Sequence, residues 1–316
     1  MKGEWAMRML MKAAAMMLCL MLGAAPSCAQ AMTFTDALGQ EITVDHPQRV
    51  VTLMGSFAEI WLLAGGGDTL VGTAVDTTDH RDLGIPEHVV RVGTYKNPNM
   101  EQILSLNPDL IILSADTVRT GSHVALKDSL AEAGIPAAYF KVTHFEDYLN
   151  MLRICTQITG DAQAYEKNGA DVQAQINQIL REGAVQDGPS VLLMITYSGG
   201  IRPQGADTMT GRMLAQLGWR NILDAYPSLL REFSIEKVIE IDPDYILVIP
   251  MGNDDEALRR NLQKSVQSNP AWNGLSAVIH DRCILLPGEK FVYKPNARWA
   301  ESYAYLSGLT ADSKDK

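Results

Sequence analysis

One pattern of apolar and polar positions occurs twice in this chain, at residues 99–113 and 234–248. Each copy opens with a polar residue suited to capping a helix, Asn99 or Ser234, and has a glutamate two residues later. Apolar residues then follow at helical spacing, and a Pro-Asp pair leads into a run of β-forming residues. Each copy therefore predicts a short helix and a buried strand. Because about one domain length separates the copies, the pattern predicts two similar α/β lobes.

The N-terminal half alternates between strand and helix patterns. Residues 33–36 and 41–44 alternate around a Gly-Gln turn, which predicts an antiparallel hairpin. A buried strand at 49–54, a helix with Ser56 and Glu59 at capping-box spacing, and a strand near 70–72 then predict a parallel βαβ unit. Further patterns follow: a helix at 123–133, a strand at 138–140 and a helix at 145–158.

The pattern at residues 161–182 is helical, long and polar. A helix with so few large apolar residues cannot lie in the middle of a core, so we predict that it connects the two lobes. The second lobe then opens with a strand at 190–195, a loop at 196–202 and a helix around 213–218. The predicted division is an export segment at 1–31, a lobe at 32–160, a connector at 161–183, a lobe at 184–310 and a polar tail at 311–316.

The apolar stretch at residues 13–23 follows basic residues and precedes small ones, which is typical of a secretory signal. It is too short for a comfortable membrane span, and Met7 is a plausible start of translation. Two outcomes stay open, cleavage after Ala31 or lipid attachment at Cys28. Both predict a protein that works outside the cytoplasm, in the periplasm or at the cell surface.

Charge and composition narrow the partners and the chemistry. The formal net charge is −10, which argues against nucleic acid or an anionic membrane as partner. Cys155 and Cys283 belong to different predicted lobes, so free thiols are favoured over a disulfide. The six histidines lack the spacing of zinc or manganese ligands. Motifs of serine hydrolases, P-loop proteins, Cys-x-x-Cys proteins and zinc proteases are also missing, so we predict no enzyme.

Several short motifs occur in an order that is more specific than any one of them. They are Phe34 to Gly39, Arg49-Val50-Val51 followed by Ser56 and Glu59, Val92-Gly93, both Glu-to-Pro-Asp copies, Pro270-Ala271-Trp272 and Ala277-Val278. In this order they resemble the substrate-binding proteins of ABC importers for iron complexes and cobalamin. The resemblance covers nearly all of the chain after the export segment.

The resemblance implies an α/β fold of two pseudo-symmetric Rossmann-like lobes with mainly parallel central sheets, joined by one long helix. It implies that a ligand binds between the lobes, that the connector limits closure, and that no resident cofactor is needed. It also implies a monomer that docks on an ABC permease and its ATPase, through one glutamate on each lobe. By motif position these are Glu101 and Glu236.

Candidate ligand residues lie in loops that follow predicted strands, where open α/β lobes place their ligands. Aromatic rings would wall the crevice, and cations would neutralise an anionic iron chelate. Lys96 and Arg231 each precede a docking glutamate by the same interval, so they would approach from opposite lobes. The candidates are Ser56, Phe57, Tyr95, Lys96, Tyr197, Arg202, Arg231, Lys290 and Tyr293.

The sequence does not decide which ligand binds. An iron-siderophore or a similar metal chelate is the leading expectation. Haem would need an axial ligand such as Tyr95 or Met54, and cobalamin would favour aromatic walls. A surface sensory or adhesion module of the same fold is the alternative to an importer subunit.

Overall fold

The computed structural model describes residues 31–78, 82–117, 123–252, 255–264 and 268–311. The predicted export segment lies outside these ranges except for Ala31, so the alternatives at Cys28 stay predictions. Within the described ranges, no helix combines the length and the apolar character needed to span a membrane.

The N-terminal lobe is a five-stranded sheet in the order β5-β4-β3-β6-β7, in which all paired strands are parallel. An antiparallel hairpin of β1 and β2 precedes it, with Phe34 opposite Ile42. The inner strand β6 is buried at every position, as expected for a parallel sheet covered on both faces. The elements are β1 (Met32–Thr35), β2 (Glu41–Val44), β3 (Val50–Thr52), α1 (Gly55–Leu63), β4 (Leu70–Thr73), β5 (Val90–Arg91), α2 (Met100–Ser105), β6 (Leu110–Ser114), α3 (Lys127–Glu132), β7 (Ala137–Phe140) and α4 (Phe145–Thr159).

A continuous helical run connects the two lobes. It comprises α5 (Ala162–Tyr165), a π-helical turn (Glu166–Ala170) and α6 (Asp171–Gly183). The Asn168 side-chain amide donates to the Leu63 carbonyl at 2.8 Å, which fixes the π-helical turn to the end of α1. At the other end Gly183 lies so close to Ser307 that a Cβ there would overlap its hydroxyl. The connector is therefore attached to both lobes.

The C-terminal lobe has the sheet order β10-β8-β11-β12, all parallel, with β9 antiparallel to β8. In both lobes the strand of the repeated motif, β6 or β11, pairs with the first strand of the sheet, β3 or β8. The elements are β8 (Ser190–Tyr197), β9 (Gly200–Pro203), α7 (Met209–Gln216), β10 (Arg220–Asn221), α8 (Ile222–Ala225), α9 (Ile235–Ile241), β11 (Tyr245–Pro250), α10 (Asp255–Leu262), α11 (Ser276–Ile279), β12 (Cys283–Leu285), α12 (Gly288–Phe291) and α13 (Trp299–Ala311).

The segment just before α13 makes a second connection between the lobes. Asn296, which is fully buried and has a left-handed φ of 52°, donates from its amide to the Ser56 carbonyl at 2.9 Å and to Glu59 Oε2 at 2.6 Å. Nearby, the rings of Phe145 and Trp299 pack edge to face with centroids 5.8 Å apart. The first turns of α1 are thus fastened to the C-terminal lobe.

The predicted two-lobed α/β fold with mainly parallel sheets and one connecting helix is confirmed. Both predicted motif caps are present, since the Asn99 and Ser234 side chains accept from the backbone of the third helical residue, Gln102 or Lys237. Cys155 on α4 and Cys283 on β12 are free thiols. The residue bounds of the lobes stay a prediction.

The predicted capping box at Ser56 and Glu59 is wrong. The helix begins at Gly55, and its N-cap Met54 makes no side-chain hydrogen bond. A Cβ on Gly55 would lie 2.8 Å from Thr77 Cα, so the close approach of these two backbones sets where the chain turns. Ser56 therefore lies inside the first turn, and Glu59 binds Asn296 instead of a backbone amide at the helix start.

Candidate functional site

The carboxyl ends of the parallel strands bring the loops of each lobe to one edge of its sheet. In the N-terminal lobe these are the loops after β3 to β7, and in the C-terminal lobe those after β8, β11 and β12. Helices α2 and α9 each precede a parallel strand and run back along the sheet, so both begin at this edge as well. We call it the carboxyl edge of each lobe.

A cavity of about 540 Å³ lies between the lobes, next to the end of β7. This volume falls in the range of about 300 to 1,000 Å³ that small-molecule sites usually have. The N-terminal lobe contributes most of its walls, and the loop between β9 and α7 contributes Asp207. The lining residues are Thr35, Asp36, Ala37, Phe140, Lys141, Thr143, His144, Asp147, Asn150 and Asp207.

Two of the three carboxylates in this cavity are held by backbone donors. Asp36 accepts from the amides of Leu38 and Gln40, both at 2.9 Å, and also from the Gln40 side chain and the Tyr139 amide. Asp147 accepts from the amides of Thr143 and His144 at 2.8 and 2.9 Å. These contacts disperse the two negative charges.

The polar groups left for a ligand are of mixed character. Lys141 and Asp207 are exposed, and Thr35 and Thr143 offer hydroxyl groups. Asn150 offers its amide nitrogen, because its Oδ1 already accepts from Arg153 at 2.8 Å. The cavity can therefore orient an oxygen-rich ligand through both charged and neutral groups.

Tyr95 and Lys96 lie together in a tight turn at the N-terminal lobe's carboxyl edge. Gly93 permits this turn, since its φ is 92° and a Cβ there would approach the Asn97 carbonyl to 2.5 Å. The Tyr95 ring is half-buried, and the exposed Lys96 places Nζ 5.6 Å from its centroid. The turn therefore presents an aromatic face and a positive charge side by side.

The C-terminal candidates lie on several separate elements. Tyr197 ends β8, half-buried, and its carbonyl accepts from the Asn261 amide at 2.7 Å. Arg202 is exposed on β9, and Arg231 is exposed after the 3₁₀ turn Pro227–Leu230. Tyr293 is half-buried in the segment between α12 and Asn296. None of the predicted ligand residues lines the cavity beside β7.

Two predicted ligand residues have other roles in the structure. Phe57 is fully buried and packs edge-on against Phe140, with ring centroids 6.5 Å apart, so it is a core residue. Lys290 Nζ lies 2.7 Å from Glu301 Oε2, so its charge is already neutralised by α13. Ser56 is half-buried at the junction of the lobes, where its carbonyl binds Asn296.

The structure also adds residues that sequence reasoning missed. Lys141, Thr143 and His144 follow β7 directly, and the rule that ligand loops follow parallel strands could have found them. Asp207 carried no such signal, because its position depends on β9 folding back along β8.

The two candidate docking glutamates occupy matching places. Glu101 and Glu236 are each the second residue of a helix that begins at the carboxyl edge, and both are exposed. Glu236 also accepts a hydrogen bond from the Ser234 hydroxyl at 3.0 Å. A first-turn carboxylate is also favoured by the helix dipole, by about 0.3 to 1 kcal/mol, so position alone does not require a partner.

A family model described as "Periplasmic binding protein" matches residues 50–289, which is more than half of the chain. The chain belongs to the periplasmic binding protein family. Three curated relatives are similar to this periplasmic binding protein. A putative ABC transporter substrate-binding lipoprotein, YhfQ of Bacillus subtilis, is 26% identical over 77% of each chain. A Fe(3+)-citrate-binding protein, YfmC of the same species, is 25% identical over 77% of this chain and 74% of its own. A vitamin B12-binding protein of Pectobacterium carotovorum is 26% identical over 64% of this chain and 71% of its own.

Solved structures share the fold of this periplasmic binding protein. The siderophore-binding protein BauB, bound to ferric iron and two molecules of acinetobactin, gives a TM-score of 0.69 at 18% identity, covering 88% of this chain and 97% of its own. The vitamin B12-binding protein BtuF of Vibrio cholerae gives 0.65 at 17% identity, covering 86% and 99%. At these identities the likeness shows the fold alone.

Proposed function

We propose that this protein is the extracytoplasmic solute-binding subunit of an ABC importer, and that it captures an iron-siderophore or a similar metal chelate between its lobes. The observation that carries the proposal is the cavity beside β7, which both lobes line and whose volume suits a small molecule. Membership of the periplasmic binding protein family supports the same role.

The ligand class is inferred from relatives and from charge. Curated relatives include proteins named for Fe(3+)-citrate and for vitamin B12, and a structural neighbour is named for a siderophore. Lys96, Arg202 and Arg231 are exposed cations near the carboxyl edges of an otherwise acidic protein. Exposed cations near a ligand site favour an anionic ferric chelate over a neutral ligand. A corrinoid is the second candidate, because relatives carry that name.

Delivery would use the two matching helices. Glu101 and Glu236 project from the starts of α2 and α9, one on each lobe, and each is free of any ion pair within the described parts of the chain. We infer that they bind arginines of the permease, one for each lobe. Binding and delivery need no bond-breaking step, so we infer a transport protein without enzymatic activity, held in the periplasm or at the cell surface and monomeric.

The proposal is tested by native mass spectrometry and absorption spectroscopy of the purified protein. The panel is ferric citrate, a ferric catecholate, a ferric hydroxamate, haemin and cyanocobalamin, and the iron-free chelators are the matched controls. We expect one ferric chelate to bind at one molecule per chain. Binding of cyanocobalamin or haemin alone would move the protein to that ligand class, and no binding from the whole panel would contradict the proposal.

A further inference from the structure

An exposed apolar side chain lies beside each of the two candidate docking glutamates. Six large apolar side chains are exposed among the described residues, and two of them are Leu104, 41% exposed, and Tyr226, 38% exposed. Neither residue lines the cavity beside β7, so the ligand site does not explain their exposure. Because single exposed apolar residues are common on protein surfaces, it is the placement of these two that is informative.

Leu104 lies next to Glu101 on the outer face of α2. Residues three apart on a helix are neighbours, so these two side chains are one turn apart. Ile103 has no exposed surface and directs the opposite face of the helix into the core. The carboxylate and the apolar side chain therefore face outward together. We call Glu101 and Leu104 the N-terminal patch.

In the C-terminal lobe the apolar side chain comes from outside the helix. The residue that matches Leu104 in the repeat is Ile239, which is half-buried and packs against the core. Lys237, which follows Glu236, places Nζ 4.9 Å from the centroid of the Tyr226 ring. Tyr226 therefore lies beside the first turn of α9, next to the docking glutamate. We call Tyr226 and Glu236 the C-terminal patch.

The two patches also agree in charge. Glu101 is the only charged residue of α2. Lys237 is already paired with Glu240 at 2.8 Å, so its charge does not cancel that of Glu236. Each patch thus combines one negative charge with one apolar surface. An arginine fits both features, because its guanidinium pairs with a carboxylate while its methylene stem covers apolar area.

We propose that Leu104 and Tyr226 are docking residues, and that the arginine-bearing surface of an ABC permease covers one carboxylate and one apolar side chain on each lobe. The proposal rests on the proposed function. An exposed ion pair alone contributes little to binding, because water and salt screen it. An apolar side chain that is covered beside the pair excludes water from it and adds buried apolar area.

The first experiment is photo-cross-linking in cells, with benzoylphenylalanine placed singly at Leu104, Tyr226, Gln102 or Ile279. Gln102 is exposed beside Glu101, so it reports whether α2 docks at all. Ile279 is 61% exposed and lies just before the start of β12, at the end of the sheet opposite the carboxyl edge. We expect the first three positions to cross-link to an ABC permease, at a segment that mass spectrometry shows to contain an arginine, and Ile279 to give no such product.

The cross-linking outcomes separate the two proposals. Absence of a permease product from every position would contradict the proposed function and the patches with it. A permease product from Gln102 but from neither Leu104 nor Tyr226 would leave the proposed function standing and overturn the patches. Products of Leu104 and Tyr226 with a second copy of this chain alone would also overturn them.

The second experiment measures affinity for that permease and its ATPase, reconstituted in nanodiscs. Leu104→Ser and Tyr226→Ser should each weaken docking about tenfold, whereas Leu104→Met and Tyr226→Phe keep the apolar surface and should stay within about twofold of wild type. Ile279→Ser is the matched control and should dock like wild type. Binding of a ferric chelate should be unchanged in all variants, because none of these residues lines the cavity. Wild-type docking by both serine variants would overturn the proposal.

Discussion

The two copies of the repeated motif end in the same backbone geometry, but their aspartates accept hydrogen bonds from different groups. Before the Pro-Asp pair stands a residue with left-handed φ in each copy, Asn107 at 44° and Asp242 at 50°. The aspartate that follows the proline then accepts hydrogen bonds from the start of the lobe's first strand. Asp109 accepts from the amides at 48 and 49, and Asp244 from the amide and the hydroxyl of Ser190.

The repeated residues belong to the scaffold of each lobe, whereas the ligand site lies outside the repeat. The repeated residues cap a helix, turn the chain and join the motif strand to the first strand, and these needs are the same in both lobes. The loops that face the ligand differ, because β3 runs directly into α1 whereas β8 folds back as β9 before α7. Internal symmetry therefore predicts the framework and the docking helices, but it does not predict the ligand pocket.

The largest effect is expected when the charge of both matching glutamates is reversed. Glu101→Arg combined with Glu236→Arg should abolish uptake of radioactive iron chelate in cells, because each would face an arginine of the permease. Affinity of the purified protein should stay within about twofold, a change of about 0.4 kcal/mol.

Each single charge reversal should cause a similar partial loss of uptake if the lobes dock alike. Glu182→Arg is the control, since this exposed glutamate of the connector lies outside both docking helices. Loss of ligand binding in the purified double variant would contradict the assignment.

The next largest effect concerns how much Asp109 and Asp244 each contribute to folding stability. Asp244→Asn should destabilise the protein by about 1 to 2 kcal/mol, and Asp109→Asn by less than about 1 kcal/mol, because Asp109 is exposed and binds only backbone amides. Urea unfolding of the two variants measures the difference. Equal losses would show that Ser190 adds nothing to the second copy.

Acid should remove the stability that the Asp244 carboxylate contributes to the fold. Burial raises the pKa of this carboxyl, but hydrogen bonds from Ser190 and the charges of Arg220 and Arg282 outweigh burial and lower the pKa below its ordinary value of 3.8. The stability it contributes is therefore complete above that ordinary value and is lost as pH falls through the lower, folded-state pKa. We expect the stability gap between wild type and Asp244→Asn to narrow over this acid range, and a gap that widens would contradict the assignment.

A smaller effect concerns the cations at matching positions. Lys96 and Arg231 are both exposed, so Lys96→Gln or Arg231→Gln should weaken an anionic chelate by no more than about 1 kcal/mol. The loss should shrink as salt is raised, because exposed charges are screened. Calorimetry at low and high salt measures both points. Unchanged affinity at low salt in the single and double variants would remove this pair from the site.

The smallest change is expected in overall shape. The connector and Asn296 join the lobes at opposite ends of α1, through the Leu63 carbonyl and through Ser56 and Glu59. Two attachments leave little freedom for closure, so X-ray scattering profiles with and without a bound ferric chelate should nearly superimpose. A large contraction on binding would contradict the restraint expected from these two attachments and the expected stiffness of the connector.

Sequence reasoning succeeded where the signal is local. Caps, apolar spacing and the Pro-Asp pair fix α2, α9, β6 and β11 within short windows of residues, so both copies were predictable. The polar connector was predictable for the same reason, since its composition excludes a central core position.

The ligand site depended on contacts between distant residues. Phe57 became a core residue because α1 begins at Gly55 and turns that side chain inward, and Lys290 pairs with Glu301 only once α12 and α13 are packed. Asp207 reaches the cavity through the return of β9, which the sequence presented as a loop. Such placements follow from how the lobes and helices meet, and no local pattern carries that information.

The central claim, that one ligand is held between the carboxyl edges of both lobes, is tested most directly by hydrogen exchange with a bound ferric chelate. The account predicts slower exchange on both sides of the crevice: in the loop after β7 at residues 141–144, in the turn at 94–97, and in the loop at 204–208 that carries Asp207. The end of the connector, near Gly183, should be unchanged, as an internal control. Protection confined to one lobe, or found only away from these loops, would contradict the claim.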